Sequence, residues 1–200
     1  KHITTMEGGM LVTDDDRVAE LVRRKRAFGY DKGLGERKVP GIYDIAMLGY
    51  NYRMSEAQAA VGLAQLDRLD GFLAKRRANS DALHARLAEI DGVTTFPLHR
   101  ERSESARYCV NAVLPEDGSI DRGAVIAALN AAGVGTSVHY PVALPLSSYY
   151  REKYGHRPEQ FPVARWISDQ AISLPCGPHL ETDDMHYIAD RLGETLAGLT

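Results

Sequence analysis

The opening stretch Lys1-His-Ile-Thr-Thr-Met-Glu-Gly-Gly9 joins a primary amine to two hydroxyl side chains and a glycine turn. Gly8 and Gly9 permit positive φ, or close approach of a ligand or another backbone. Hydroxyls and free amides in such a turn bind anionic oxygens. An amine desolvated beside them loses its proton and condenses with an aldehyde to a Schiff base. The bland reading of Lys1 is a solvated surface residue, and on these residues alone both readings stand. Cys176, His179 and His186 are metal-ligand types, but their spacing matches no zinc template and local packing accounts for them, so no metal is expected. G-x-S-x-G, H-E-x-x-H, G-x-x-x-x-G-K-[ST] and G-x-G-x-x-G are all absent, which removes most standard catalytic motifs.

These residues need elements to position them. Gly9 to Thr13 is a short apolar run that predicts a buried strand. Asp14 to Asp16 suit a helix N-terminus, and Val18, Leu21 and Val22 recur at helical spacing before Arg23-Arg24-Lys25-Arg26 and Gly29 close it. That basic run reads as a solvated helix end. Residues 30 to 50 read as a long loop. Ser55 and Gln58 form a capping-box pattern, and the apolar spacing beyond them predicts one helix to about Ile90, kinked near Gly71. A strand is expected over Arg107 to Leu114, a helix over Val125 to Ala132, and a second strand over Val134 to Tyr140. Helices over Val163 to Ile172 and Thr182 to Leu196 follow. The chain divides into 1–91, the end of an α/β domain with a long connecting helix, and 92–200, a small α+β domain.

Composition narrows the class. The 200 residues carry 24 Lys and Arg against 27 Asp and Glu, a formal charge of −3, with 44% hydrophobic residues. That is ordinary globular composition, and the acidic excess argues against nucleic acid or an anionic membrane as partner. The longest uncharged stretch, Gly123 to Tyr150, is broken by Gly133, Gly135, Pro141 and Pro145 and reads as buried protein rather than a membrane span. Two cysteines with no C-x-x-C pair suit a reducing, cytoplasmic setting.

KHITTMEGGMLVTDD, followed by GYNYRMSEAQAAVGLAQL, resembles the DegT/DnrJ/StrS-type nucleotide-sugar aminotransferases, fold-type-I enzymes dependent on pyridoxal 5′-phosphate (PLP). The resemblance runs collinearly through VHYPVALPLSSYY, REKYGHRP and FPVARWISDQAISLP to the closing helix. One departure is Met6, where many members carry a small residue. The fold implied is the end of the large α/β PLP-binding domain plus the small C-terminal domain. The chain begins at Lys1 and its first half has few strands, so it reads as the C-terminal portion of a larger enzyme, cut at its catalytic lysine.

The resemblance assigns roles. Lys1 becomes the lysine that holds PLP as a Schiff base and moves protons during amino transfer; a dehydrating branch of the family carries histidine there. Asn51 matches the asparagine that reaches the PLP phosphate of the other subunit, which implies a homodimer with shared active sites. Arg53 either pairs with phosphate or a substrate anion through its planar fork, or makes an ion pair at the helix head. Gln58 reads as a cap. His139 and Tyr140 fall in the segment that lines the sugar end of the site; His139 read alone is a satisfied core histidine ahead of a ligand, and the resemblance brings the two readings level. The activity implied is transfer of an amino group from glutamate or glutamine to a nucleoside-diphosphate-linked keto sugar. The alternatives are an aminotransferase of an aminocyclitol pathway and a catalytically silent interaction homologue.

Overall fold

The computed structural model describes residues 1–199. They fold as two compact units, one of Lys1 and Ile3–Leu69, the other of His2 and residues from Asp70 onward.

In the first unit Asp15 caps α1 (Asp16–Lys25). Its carboxylate accepts the amides of Arg17 and Val18 at 2.8 and 3.2 Å, which satisfies donors that the first helical turn leaves open. The basic run closes the helix as expected, and the Arg24 side chain turns back to the Tyr30 carbonyl at 3.0 Å. Gly9 to Thr13, expected to be a strand, is not one. A strand forms against a neighbour, and this run pairs with none among the described residues, leaving Met10 and Val12 86% and 89% exposed. The loop expected over 30 to 50 leaves and returns through one crossing, closed by the bridges Ala27–Asn51 and Tyr30–Ile45, and carries one short 3₁₀ turn at Leu34–Glu36.

The single helix expected beyond Ser55 is two, α2 (Glu56–Leu66) and α3 (Leu69–Leu87). The break falls at Asp67 and Arg68, not at Gly71. The Arg68 amide donates to Gln65 three residues back, at 3.2 Å, a tightened last turn of the kind that ends α-helices. Ser55 and Gln58 form the capping box as read.

The second unit takes in α3. After it come a hairpin of β1 (His99–Arg100) and β2 (Ser103–Glu104), then β3 (Val110–Val113), α4 (Arg122–Ala131), α5 (Ser148–Tyr154), α6 (Pro162–Gln170), β4 (Ala171–Leu174) and α7 (Thr182–Leu199). β3 and β4 pair antiparallel, with Val110 opposite Leu174, Asn111 opposite Ser173 and Ala112 opposite Ile172. Side chains alternate across such a pair. Val110, Ala112, Ile172 and Leu174 face a core shared with Leu83 and Leu87 of α3, Val125 and Leu129 of α4, and Met185, Ile188 and Leu192 of α7. Asn111 and Ser173 occupy the alternate positions.

Two further expectations change here. The helix expected to Ile172 stops at Gln170, and Ala171–Leu174 becomes β4, all four residues buried. The strand expected over Val134 to Tyr140 reduces to one bridge, Ser137 with Ser173, whose two backbone bonds measure 3.1 and 2.8 Å. Pro141, with no N–H to give, ends any continuation.

Candidate active site

Lys1 and the turn after it belong to the first unit, and α2 holds that turn in place. The Thr4 amide donates to Gln65 Oε1 at 3.1 Å, and Gln58 Nε2 donates to the Glu7 carbonyl at 2.9 Å. Gln58 therefore does two jobs, because its Oε1 also accepts the Ser55 amide of the helix cap at 2.9 Å. Within the turn Met6 has φ 70°, and its amide donates to Thr4 Oγ1 at 2.9 Å. The Thr5 hydroxyl donates to the Glu7 carbonyl at 3.1 Å. A Cβ added at Gly8 would lie 2.5 Å from Thr5 Oγ1, so the glycine leaves room for that hydroxyl.

Asn51 and Arg53 stand where the 30–50 loop rejoins the chain. A Cβ at Gly49 would meet the Gly29 nitrogen at 2.2 Å, and one at Gly29 the Met47 carbonyl oxygen at 2.0 Å. The two backbones touch, and only glycine fits on either side. Just beyond the crossing, Arg53 Nε donates to Asn51 Oδ1 at 3.2 Å, and the Arg53 guanidinium lies 4.8 Å from the centre of the Phe28 ring. With its oxygen accepting from Arg53, Asn51 keeps an exposed Nδ2 as its donor end. Arg53 makes no ion pair at the helix head among the described residues; its partners are Asn51 and Phe28. The Lys1 amine, and separately the Asn51 amide and the Arg53 guanidinium, are residue types that suit the aldehyde and the phosphate of a cofactor such as PLP.

His139 and Tyr140 lie in the second unit. His139 lines a pocket of about 260 Å³ together with Arg76, Tyr108, Ser137, Ser173 and His179. Its Nδ1 lies 3.0 Å from Ser173 Oγ, whose hydroxyl donates to Asn111 Oδ1 at 2.6 Å. Tyr140 is 68% exposed, its ring 5.6 Å from that of His139. The Tyr108 ring follows at 6.0 Å from His139, and His2, which groups with this unit, packs edge-on to Tyr108 at 6.5 Å. Burial, then the Arg76 guanidinium, hold the His2 imidazole below its ordinary pKa. The Cys176 thiol donates to the carbonyls of Arg107 and Tyr108 at 3.6 and 3.9 Å, and burial pushes its pKa up. It is an unreactive thiol. Among the described residues no cluster of His, Cys, Asp and Glu could hold a metal.

Sequence reading missed Arg76, Asn111 and Ser173. Asn111 carried a signal, since alternation in the expected strand places it opposite Val110 and Ala112. Ser173 carried none, falling just past an expected helix.

The fold is that of aminotransferases of known structure. Over 99% of its length it superposes, at a TM-score of 0.84 and 23% identity, on 51% of Helicobacter pylori PseC, an aminotransferase involved in pseudoaminic acid biosynthesis. Over its whole length it superposes, at 0.83 and 24% identity, on 51% of a putative sugar aminotransferase, Spr1654, from Streptococcus pneumoniae, solved in its PMP form and also in a PLP form. The chain belongs to the DegT/DnrJ/EryC1/StrS aminotransferase family, whose profile matches residues 1–193. It is 29% identical over 202 aligned positions to the spore coat polysaccharide biosynthesis protein SpsC of Bacillus subtilis, covering 99% of this chain and 52% of that protein. The chain spans about half the length of the curated relatives it matches.

Proposed function

We propose that the protein is a PLP-dependent aminotransferase that moves an amino group from glutamate or glutamine to a keto sugar carried on a nucleoside diphosphate. The observation that carries this reading is Lys1 at the head of a glycine turn latched to α2, in a chain that matches an aminotransferase family from its first residue. The PLP and PMP forms of the pneumococcal relative support the cofactor, and the role of SpsC in polysaccharide biosynthesis supports a sugar product.

When bound, PLP supplies an aldehyde that takes up the amino group and a ring that draws off an electron pair. This chain's residues contribute to binding and to proton transfer. Lys1 Nζ anchors the cofactor at rest; during turnover it takes a proton from the reacting carbon as a base and returns one as an acid. Asn51 Nδ2 donates to a phosphate oxygen without adding charge, and Arg53 brings charge and a planar pair of donors to the same anion. His139 and Tyr140 contact the sugar end of the substrate from their pocket.

Homodimerisation is part of this reading, with Asn51 and Arg53 serving the partner's cofactor. In the first unit Ile42, Leu48 and Leu63 are 69%, 78% and 66% exposed, apolar surface that association would cover. The cytoplasm fits two free cysteines, and among the described residues no helix is long and apolar enough to cross a membrane.

The test uses full-length protein. Borohydride should trap PLP on Lys1, and Lys1→Ala should lose the cofactor's visible-edge absorbance and at least about a hundredfold in turnover while staying dimeric. Retained turnover in that variant would refute the role of Lys1.

A further inference from the structure

One polar stripe crosses the sheet of the second unit. Asn111 of β3 pairs with Ser173 of β4, and Ser173 in turn pairs with Ser137, so three polar residues stand side by side across neighbouring strands. Ser173 is 4% exposed. A polar group there is costly unless its hydrogen bonds are filled. They are filled in a defined direction. Asn111 Oδ1 takes the Ser173 hydroxyl proton at 2.6 Å and also accepts the Cys109 thiol at 3.8 Å. Ser173 Oγ is left with lone pairs only, and the group it meets at 3.0 Å is His139 Nδ1. That nitrogen must therefore carry the proton. In the neutral ring, Nε2 is then an acceptor, and its neighbour is the exposed Ser137 hydroxyl at 3.4 Å.

We infer that Ser173 and Asn111 are positioning residues for His139, and that the pocket lined by Ser173 and His139 takes a hydroxyl of the ligand on His139 Nε2 in place of the Ser137 hydroxyl. Against the neutral ring, a phosphate or carboxylate oxygen would bring one acceptor against another at that atom. Arg76 is the one formally charged side chain lining the pocket among the described residues, so an anionic group turns to it instead. The ligand class, a polyhydroxylated ring, rests on the sugar-aminotransferase reading; the relay itself does not.

The experiment labels the histidines of the full-length protein with ¹⁵N and reads the ring nitrogens by NMR, with the His139 signals identified by their loss in His139→Gln. The wild type should show Nδ1 protonated in a single tautomer. Ser173→Ala should give a tautomer mixture, and Ser173→Thr, which keeps the hydroxyl, should restore the wild-type pattern. UDP-glucose and dTDP-glucose then serve as probes, with UDP and dTDP as controls. A sugar nucleotide should move Nε2 and bind about tenfold more weakly to Ser173→Ala, while the free diphosphates bind both proteins alike. A mixed tautomer in the wild type, or an unchanged one in Ser173→Ala, would overturn the positioning role. Sugar nucleotides that bind both proteins equally and leave Nε2 unmoved would overturn the hydroxyl contact while leaving the functional reading intact. If no probe and no control binds but the tautomer behaves as stated, the relay stands and the sugar-nucleotide reading falls.

Discussion

Arg53 Nε spends its proton on Asn51 Oδ1, so the guanidinium fixes which end of that amide faces outward. Lysine would keep the charge and lose both the fork and this bond. Arg53→Lys should accordingly weaken PLP retention about tenfold, measured by loss of cofactor absorbance during dialysis of the full-length protein; unchanged retention would separate Arg53 from the phosphate. At this scale the sequence was legible wherever a motif was contiguous. The Ser55–Gln58 box read correctly because its partners lie within a few residues. The dual bonding of Gln58 did not, because the Glu7 carbonyl is 51 positions away. Nor did the glycine crossing, since Gly29 and Gly49 are each plausible loop residues until the two backbones are seen to touch.

The hairpin of β1 and β2 shows what an element can owe to a small cluster of ion pairs. Arg107 has φ 52° and is 3% exposed, and its guanidinium pairs with Glu104 and with Asp81. The Arg107 hydrogen bond, then the charge of Arg77, hold the Glu104 carboxyl below its ordinary value of 4.5. A depressed carboxylate contributes stability that is whole above 4.5 and is lost as pH falls through its lower folded value. Protection of the Ser105 amide, which donates to Leu98 at 2.8 Å, should therefore decline on acidification below about that ordinary value. Glu104→Gln should flatten the dependence; hydrogen exchange followed against pH checks it. Helices α1 and α4 were legible from local signals, an apolar period followed by a glycine, Gly29 or Gly133. β4 was not. A run as short as Ala171–Leu174 looks the same at a helix end as in a strand, and what makes it a strand is β3, some sixty positions earlier.

At the scale of the whole chain, the buried core of the described residues lies in the second unit. Leu129 is fully buried among residues of β3, β4 and α7. Leu129→Ala should cost about 2–5 kcal/mol, read from denaturant midpoints with an unchanged slope. Among its described residues the first unit buries no large apolar side chain, and the proposed dimer would cover part of its exposed apolar surface. Sedimentation of the full-length protein should give a dimer, and Ile42→Glu should loosen it; a dimer unaffected by that charge would place the contact elsewhere. Gln58 has one last consequence, for ageing. Its two ends hold two different structures, the oxygen a helix cap and the nitrogen the turn behind Lys1. Deamidation exchanges that nitrogen for an oxygen, which keeps the first bond and sets a carboxylate against the Glu7 carbonyl in place of the second. A stored preparation would thus lose its grip on cofactor with no change in helix content, so circular dichroism would pass material that a mass spectrum of this one peptide would reject.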